Sequence, residues 1–267
     1  MPELPEVEVT RRRLERELAG KIFKQVVLRV EKLRLPVPAE LAIILPGLTI
    51  RGIDRRGKYL LFDCQSGCLL IHLGMTGFLR LLRGAVAPGK HDHLDFIFDD
   101  DQLLRFHDPR KFGIVTWFTG DPQKHPLLAG IGPEPLTAAF NGLHLLNASR
   151  NRRVAVKQLI MDSAVVAGVG NIYANESLFR ACIRPDRPAG TLTVEECTKL
   201  ATVIREVLEG SISEGNACMV AEETVTYYPQ VFKVYGHGGE PCPCCGEPLD
   251  EIRLGNRSTV LCRTCQG

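Results

Sequence analysis

The sequence predicts an α+β multi-domain protein with an N-terminal β-sandwich, a helical middle region and a small C-terminal ribbon. Short β-branched and apolar runs, separated by Gly, Pro and Asp, fill residues 21 to about 118, at the spacing expected of a sandwich. Beyond the turn-rich stretch 132–135 the apolar residues recur at helical spacing. Five of the ten cysteines lie in the last 26 residues, which places a metal-binding ribbon at the C-terminus.

A helix is predicted before the strands. Residues 6–18 place Val7, Leu14 and Leu18 on one side and charged residues elsewhere. The first strand is predicted within 22–30, which is apolar and rich in β-branched residues. The further strand predictions are 59–63, 68–73, 78–82, 93–98, 103–106 and 114–118.

Three segments of the middle region are the best helix candidates, namely 152–162, 171–182 and 194–212. Thr193 and Glu196 have the spacing of a capping box, which predicts where the third helix begins. A turn with two glycines separates the first two helices. Such a turn can aim backbone amides and a helix N-terminus at a phosphate, although alone it is weak evidence.

The C-terminal cysteines predict a zinc site. Cys242-x-x-Cys245 and Cys262-x-x-Cys265 are two pairs that can each sit on a tight turn, so that four thiolates converge. Cys244 could in principle replace a neighbour, but the two-residue gap favours Cys242 with Cys245. Four protein ligands leave no open position, which predicts one structural Zn²⁺.

The overall composition is that of an ordinary globular chain. The 33 Lys plus Arg exceed the 31 Asp plus Glu by a net charge of only +2, which argues against a globally basic, histone-like protein. No apolar run approaches the roughly 18 residues needed to cross a bilayer, and the charged N-terminus is not a secretory signal. The cysteine pattern therefore favours a reducing, cytoplasmic location over an extracellular disulfide framework.

The positive charge is concentrated locally. Arg51, Arg55, Arg56 and Lys58 have only one acid among them, and residues 150–161 carry four basic side chains without any acid. Segregated charge of this kind suits binding to a phosphate backbone, where each contact releases counterions. Any single cluster is more often a solvated face, so nucleic-acid binding and a plain charged surface remain alternatives on this evidence.

The N-terminus carries an unusual chemical possibility. Removal of Met1 would leave Pro2 with a free secondary amine, which can attack an aldehyde-like carbon and form an iminium. An α-amino group titrates near ~8, against ~10.4 for a Lys side chain, so it is more readily a free nucleophile at neutral pH. Glu3 and Glu6 lie beside it and can act as acid and base. The alternative is a disordered start with a stiff proline.

The sequence resembles the bacterial formamidopyrimidine-DNA glycosylases of base-excision repair over nearly its whole length. The resemblance is carried by the zinc cysteines and by the motifs PELPEVE (residues 2–8), RGKYL (56–60), HLGMTG (72–77), KHDH (90–93), DPRKFG (108–113), GPEPL (132–136) and GVGNIYA (168–174).

The resemblance implies catalytic roles. Pro2 matches the nucleophile that attacks C1′ of the damaged nucleotide, and Glu3 matches a general acid/base. Lys58 matches a lysine that contacts phosphate and assists elimination. Arg257 matches a residue of the zinc hairpin that touches phosphate and assists the second elimination.

It also implies how DNA is held. Met75, Arg110 and Phe112 match a trio that fills the hole left when the lesion is flipped out, which offsets the few kcal/mol of unstacking. The matching DNA-contacting positions are His91, Arg110, Arg152, Lys157 and Asn171, and Asn171 opens the second helix of a helix–two-turn–helix motif.

The implied protein is a monomeric, bifunctional glycosylase and abasic-site lyase that acts on oxidised purines in double-stranded DNA, in the bacterial cytoplasm at the nucleoid. Its expected domains are a catalytic β-sandwich domain (1–133), a helix–two-turn–helix domain (134–232) and a zinc-finger hairpin (233–267).

One stretch departs from the family pattern. Residues 215–230, where the family has a glycine- and threonine-rich segment leading to a loop over the flipped base, read differently here and are shorter. Two alternatives follow: a related glycosylase with another lesion specificity, such as the oxidised pyrimidines of endonuclease VIII relatives, or a non-catalytic protein that binds damaged DNA. Retention of Met1 would leave Pro2 without a free amine and would favour the non-catalytic protein.

Overall fold

The computed structural model describes residues 2–218 and 230–267, without the side chains of residues 216–218. The chain divides into two compact units. The first, called the N-terminal unit, comprises Met1–Ala129 and also Glu214–Pro229. The second, the C-terminal unit, comprises Gly130–Ser213 and Gln230–Gly267.

Two four-stranded antiparallel sheets form the body of the N-terminal unit, as the sequence predicts. The strands are β1 (Phe23–Leu28), β2 (Ile50–Arg56), β3 (Tyr59–Cys64), β4 (Gly67–His72), β5 (Phe78–Arg83), β6 (Asp92–Phe98), β7 (Gln102–His107) and β8 (Ile114–Phe118). Their order is β1-β6-β7-β5 in one sheet and β2-β3-β4-β8 in the other.

A single apolar core lies between the sheets. Phe96 and Phe106 from one sheet and Phe62 and Ile71 from the other belong to the same buried cluster. Alternate residues of each strand face this core, which is why the short apolar runs of the sequence mark the strands.

Helix α1 (Leu4–Leu18) packs against this core through the residues that the sequence singles out. Val7, Leu14 and Leu18 are buried in the core cluster. The helix begins two residues earlier than predicted, because Pro5 lies in its first turn, where proline lacks only an N–H that has no helical partner.

Strand β2 was not predicted, and the short helix α2 (Leu41–Ile44) was not either. The strand contains Gly52 and is rich in arginine, so its apolar signal is weak. Only Ile50 and Ile53 face the core, and β2 pairs with β3 through the backbone.

The C-terminal unit is helical and has its own core, which includes Tyr173, Leu178, Leu200, Ile204 and Leu208. Its helices are α3 (Gly142–Ser149), α4 (Val156–Met161), α5 (Asn171–Ala181) and α6 (Val194–Cys218). None of the helices in the described parts of the chain is long and apolar enough to cross a membrane.

Helix starts in this unit follow their caps. The predicted capping box is present before α6: Glu196 N donates to Thr193 Oγ1 at 3.2 Å, and Thr193 N donates to Glu196 Oε2 at 2.8 Å. Helix α3 was not predicted, although Asn141 caps it by accepting from His144 N at 3.0 Å.

The ends of two predicted helices were misplaced. Helix α4 begins at Val156 rather than at residue 152, because the backbone of 152–154 bonds elsewhere; Arg152 O, for example, accepts from Gly190 N at 2.8 Å. Helix α6 continues past the predicted end at Ile212 to Cys218.

An antiparallel hairpin completes the C-terminal unit. Strands β9 (Asp250–Leu254) and β10 (Arg257–Leu261) are joined by a two-residue turn at Gly255 and Asn256, both with positive φ. That geometry is the preferred short hairpin turn. The three domain limits expected from the sequence (1–133, 134–232 and 233–267) stay a prediction.

Candidate active site

Pro2 and Glu3 lie at the N-terminal end of α1, and both are buried. Glu3 N donates to Glu6 Oε2 at 2.7 Å, so the first turn of the helix fixes the backbone that carries the candidate nucleophile. The Glu3 side chain is 1% exposed and makes further contacts. The alternative of a disordered start is therefore excluded for Pro2 and Glu3.

Lys58 lies in the turn between β2 and β3, where Gly57 has a φ of +56°. Its charge acts on His72, at the end of β4. Burial, together with the charges of Lys58 and Arg34, lowers the pKa of His72 to about 4. The imidazole is therefore neutral at pH 7, and its Nδ1 accepts from Gly74 N at 3.0 Å.

Met75 and the pair Arg110 and Phe112 lie on two loops that touch each other. A Cβ at Gly74 would come within 2.6 Å of Gly113 N and of the Phe112 carbonyl carbon, so the two backbones are in direct contact. The loop of Met75 follows β4, and the loop of Arg110 and Phe112 precedes β8. Because β4 and β8 are neighbouring antiparallel strands, both loops lie at the same end of these strands.

Arg110 and Phe112 form an exposed pair. The guanidinium carbon of Arg110 lies 4.7 Å from the centre of the Phe112 ring, a cation–π contact. Phe112 is 41% exposed. An exposed phenylalanine on a loop with fixed neighbours contributes little to the core and is available to a partner.

His91 is half-buried at the end of a loop that a buried ionic network holds. Arg105, 2% exposed, donates to both carboxylate oxygens of Asp95 at 2.7 and 2.8 Å and to the carbonyls of Val86 and Ala87. The loop that leads to His91 is thus bonded to the sheet beneath it.

Asp92 supplies the second anchor of that loop. Its Oδ1 accepts from Arg80 and is bonded to His107 Nδ1, both at 2.7 Å, and its Oδ2 accepts from Gly89 N at 2.7 Å. Burial raises the pKa of this carboxyl, but the hydrogen bonds from Gly89, His107 and Arg80 outweigh it and lower the pKa to about 2. The His107 ring in turn meets the His91 ring edge-on at 5.8 Å.

Part of the basic charge of the N-terminal unit is paired inside the unit. Burial raises the pKa of Glu8, but hydrogen bonds from Arg11, Arg12 and Arg55 lower it to about 2. Arg11 and Arg12 lie within one helical turn of Glu8, whereas Arg55 comes from β2, 47 residues away in sequence.

The C-terminal unit carries the remaining predicted contacts. Asn171 is the first residue of α5 and follows the cap Gly170. Arg152 is exposed, and its Nη1 lies 3.7 Å from Asp162 Oδ2. This surface ion pair is weak, so a phosphate can take the place of the Asp162 carboxylate.

Lys157 requires a correction. Its side chain is 1% exposed, and its Nζ donates to Ser258 O and Thr259 Oγ1, both at 2.7 Å. An ammonium that is buried and bonded in this way is not exposed to a DNA phosphate in this structure. Lys157 instead joins α4 to the hairpin, directly beside the strand residue Arg257.

Arg257 is exposed at the start of β10, on a hairpin held from several sides. A Cβ at Gly255 would come within 2.7 Å of Gln158 Nε2, so the hairpin tip rests against α4. Asn175 of α5 accepts from Val260 N at 2.9 Å through its buried side chain. The direction of Arg257 is thus set by the helices beneath the hairpin.

The segment before the zinc cysteines is anchored in the same way. Glu176, 1% exposed on α5, accepts from the backbone N–H groups of Lys233, Val234 and Tyr235 at 2.9 to 3.1 Å. These three hydrogen bonds tie the segment 233–235 to α5.

The four predicted cysteines converge at the base of the hairpin. The sulfur atoms of Cys242, Cys245, Cys262 and Cys265 all lie within 4.8 Å of one another, with pairs at 3.5 and 3.9 Å. Tetrahedral zinc with bonds of about 2.3 Å separates its sulfur ligands by about 3.8 Å. Cys244 is exposed and lies outside the cluster, so the four thiolates fit one structural Zn²⁺.

Comparison with known proteins agrees with this arrangement. The N-terminal domain model of formamidopyrimidine-DNA glycosylase matches residues 1–115, its H2TH domain model matches 131–222, and a zinc finger found in FPG and IleRS matches 239–267. A formamidopyrimidine-DNA glycosylase of Geobacter metallireducens is 64% identical over 266 residues, with both chains fully covered. The chain belongs to the formamidopyrimidine-DNA glycosylase family.

Solved structures of the family share the fold. Fpg of Lactococcus lactis in complex with DNA that contains an abasic site is 33% identical, with a TM-score of 0.91 and 99% of each chain covered. The same values hold for its complex with DNA that contains N7-benzyl-Fapy-dG. The predicted multi-domain α+β fold, the family and the zinc finger are therefore confirmed.

Sequence reasoning missed the buried polar groups around the site. His72 and Asp92 lie inside two of the motifs that carry the resemblance, but the sequence assigns them no role. Their roles follow from the pairing of His72 with Tyr59 and from the loop that Asp92 holds at Gly89. The atypical stretch 215–230 falls largely outside the described residues.

Proposed function

We propose that the protein is a bifunctional DNA glycosylase and abasic-site lyase of base-excision repair, which removes oxidised purines (8-oxoguanine and formamidopyrimidines) from double-stranded DNA. The observation that carries the proposal is the buried Pro2–Glu3 pair at the start of α1, in a chain that belongs to this family. The DNA complexes of the Lactococcus relative support damaged DNA as the partner.

The chemistry begins at the Pro2 nitrogen. Its lone pair forms a bond to C1′ as the bond from C1′ to the base breaks, and the base leaves with that electron pair and gains a proton from solvent. The attached nitrogen then loses its own proton to the carboxylate of Glu3. Opening of the sugar ring then breaks the C1′–O4′ bond and leaves a C1′=N iminium. Glu3, the adjacent buried carboxyl, transfers the proton to O4′.

Strand cleavage follows from the iminium. Loss of a C2′ proton and departure of the 3′ phosphate is the first elimination, and loss of the C4′ proton with departure of the 5′ phosphate is the second. Lys58 and Arg257 bind the phosphates that leave and offset their charge. Water then releases the sugar remnant and restores the Pro2 amine.

DNA is held by exposed and half-buried groups of both units. Met75, Arg110 and Phe112, the void-filling trio, take the place of the extruded base, and flipping costs a few kcal/mol that this insertion offsets. His91, Arg152 and Asn171 bind backbone phosphate. Lys157 supports the Arg257 hairpin rather than touching DNA, since its ammonium is buried. The enzyme acts as a monomer in the bacterial cytoplasm.

Borohydride trapping tests the mechanism. Borohydride reduces the iminium to a stable amine, so wild-type protein should become covalently attached to a duplex with an abasic site or an 8-oxoguanine. Protein that retains Met1, and so has no free Pro2 amine, should show little trapping, whereas Asp121→Asn, an exposed substitution in the same unit, should be trapped like wild type. Trapping that persists while Met1 is retained would contradict the mechanism. The intact mass of the purified protein shows whether Met1 is removed, which the reaction requires.

The lesion panel decides the specificity. Duplexes that carry 8-oxoguanine, formamidopyrimidine, an oxidised pyrimidine or an abasic site are compared under single turnover. The proposal predicts the fastest base removal for the two purine lesions. Faster removal of the oxidised pyrimidine would instead favour the altered specificity suggested by the atypical stretch 215–230, and binding without any cleavage would favour a non-catalytic protein.

A further inference from the structure

Asp108 is a fully buried residue between β7 and β8, at the end of the sandwich that carries the void-filling trio. We propose that Asp108 is a positioning residue: it holds the loops of Met75, Arg110 and Phe112 in the one arrangement that can replace an extruded base. The inference rests on the proposed function and adds to it a residue that touches no substrate.

The Asp108 carboxylate bonds both loops of the trio. On one side, Thr76 Oγ1 donates to its Oδ1 at 3.3 Å, which ties down the residue after Met75. On the other side, Arg110 N donates to Oδ1 at 3.3 Å and Gly113 N donates to Oδ2 at 2.7 Å. One side chain thus bridges two segments more than 30 residues apart in sequence.

The Asp108 backbone reaches a third segment. Its N–H donates to His91 O at 3.0 Å, and its carbonyl is bonded to His93 Nε2 at 2.9 Å. The same carbonyl accepts from Lys111 N at 3.3 Å. His91 is the proposed phosphate contact of this unit, so Asp108 joins that contact to the loops of the trio.

The surroundings leave little freedom for these loops. A Cβ on Gly113 would lie 2.5 Å from the Phe106 ring and 3.1 Å from Asp108 Oδ2, and Gly74 packs against the Phe112 backbone. Lys111, which lies between Arg110 and Phe112 of the trio, has a φ of +55°. Such a conformation costs energy for a non-glycine residue and persists only where its neighbours enforce it.

What Asp108 fixes is exposed, not buried. Phe112 is 41% exposed, and Arg110 is exposed as well. The apolar core beneath already holds β7 and β8 together, and burying a carboxylate is unfavourable unless its hydrogen bonds are made. The buried carboxylate of Asp108 therefore fixes the orientation of two exposed side chains rather than stabilising the core.

This role predicts a selective defect. Extruding a paired, stacked base costs a few kcal/mol, and the cost is least at a site that has no base. A displaced trio should therefore slow removal of a damaged base much more than cleavage of a duplex whose site is already abasic. A purely structural residue would lower both activities together, in proportion to the folded fraction.

The test compares these two activities in single turnover. Asp108→Asn keeps the size of the side chain but replaces one acceptor oxygen with an NH₂ group, so the side chain can no longer accept from Gly113 N on one side and from Thr76 and Arg110 on the other. We expect 8-oxoguanine removal to fall on the order of 10-fold or more, because small misplacements have large kinetic effects. Cleavage of the abasic duplex should stay within about twofold of wild type on the same scale. Asp121→Asn is the matched control, since Asp121 Oδ1 also accepts a backbone N–H, that of Gln123, but on the surface.

Two further variants keep the test decisive. Thr76→Val removes only the hydroxyl that bonds Asp108 and should show the same selectivity with a smaller drop, even if Asp108→Asn does not fold. Phe112→Ala provides the reference pattern for a defective trio. Equal losses of both activities, or no loss in either Asp108→Asn or Thr76→Val, would overturn the inference. Absence of the selective pattern in Phe112→Ala, or an inactive wild type, would instead count against the proposed function.

Discussion

Acidification should destabilise the N-terminal unit through the His72 imidazole. Its folded pKa is about 4, lowered by burial and by the charges of Lys58 and Arg34. In the unfolded chain an imidazole titrates near its model value of 6.5. Between these two values the unfolded state binds a proton that the folded state does not, so stability falls as the pH falls from about 6.5 to about 4.

The magnitude follows from the shift. About 2.5 pKa units, at 1.36 kcal/mol each, correspond to about 3 kcal/mol of unfolding free energy lost across this window. The carboxyl groups of Glu8 and Asp92 have pKa values of about 2, so the stability that they contribute is lost at lower pH still. The imidazole is therefore the group to examine above pH 4.

Urea denaturation at several pH values measures the effect. Trp117, the only tryptophan of the chain, packs against the core of this unit and reports its unfolding. In His72→Asn, which retains an acceptor for Gly74 N but cannot titrate, the loss between pH 6.5 and 4 should shrink by about 3 kcal/mol. His125→Asn is the control and should change the slope less, because burial lowers the pKa of His125 without a neighbouring cation. Parallel pH profiles for wild type and His72→Asn would refute the reasoning.

Three other outcomes are expected. Cys265→Ser should lower the zinc content, measured by atomic absorption, from one ion per chain to near zero, whereas Cys244→Ser should retain the ion; equal retention would contradict the ligand set. Gly74→Ala should destabilise the N-terminal unit by roughly 3 kcal/mol or more in thermal denaturation, because the added Cβ clashes with backbone and the residue has a positive φ. The control is Gly84→Ala, where φ is +72° but the space is open. Its loss of about 1 kcal/mol measures the backbone strain alone. Glu176→Gln should weaken hydrogen-exchange protection of the 233–235 amides by about 1–3 kcal/mol, since one acceptor oxygen becomes a donor; unchanged protection there, or an equal change in the exposed α6 variant Glu209→Gln, would argue against it.

Much of the fold could be predicted from short-range patterns. Strand β6 and helix α5 follow from alternating or periodic apolar residues, and the capping box before α6 follows from two residues three apart. Strand β2 escaped because its outward-facing arginines dilute the apolar signal, and its place is set by pairing with β3. Helix α4 began late because tertiary hydrogen bonds of 152–154 override a helical pattern.

The site divides in the same way. The four zinc cysteines are visible as spacing alone. The amine chemistry of Pro2 and the carboxyl of Glu3 are visible in the N-terminal residues, whereas their roles at the damaged nucleotide, and the role of Lys58, are what the resemblance implies. The position of Lys157 could not be predicted, because a lysine in a basic run is normally solvated and its burial depends on a strand about 100 residues away. Asp108 escaped for the same reason: its hydrogen-bond partners come from three separate segments.

The contact between Arg110 and Phe112 has a consequence for the free protein. In water the guanidinium covers one face of the phenyl ring, so an aromatic side chain kept on the surface is partly shielded from unwanted association. An exposed contact of this type is worth about 0.5–1 kcal/mol, little enough to be broken at each encounter. Any partner that contacts this face of the Phe112 ring must displace the Arg110 guanidinium, which is then free to bind a negative group of the same partner. In the free protein this one contact thus keeps an apolar ring and a cation together, and binding makes both available to the partner.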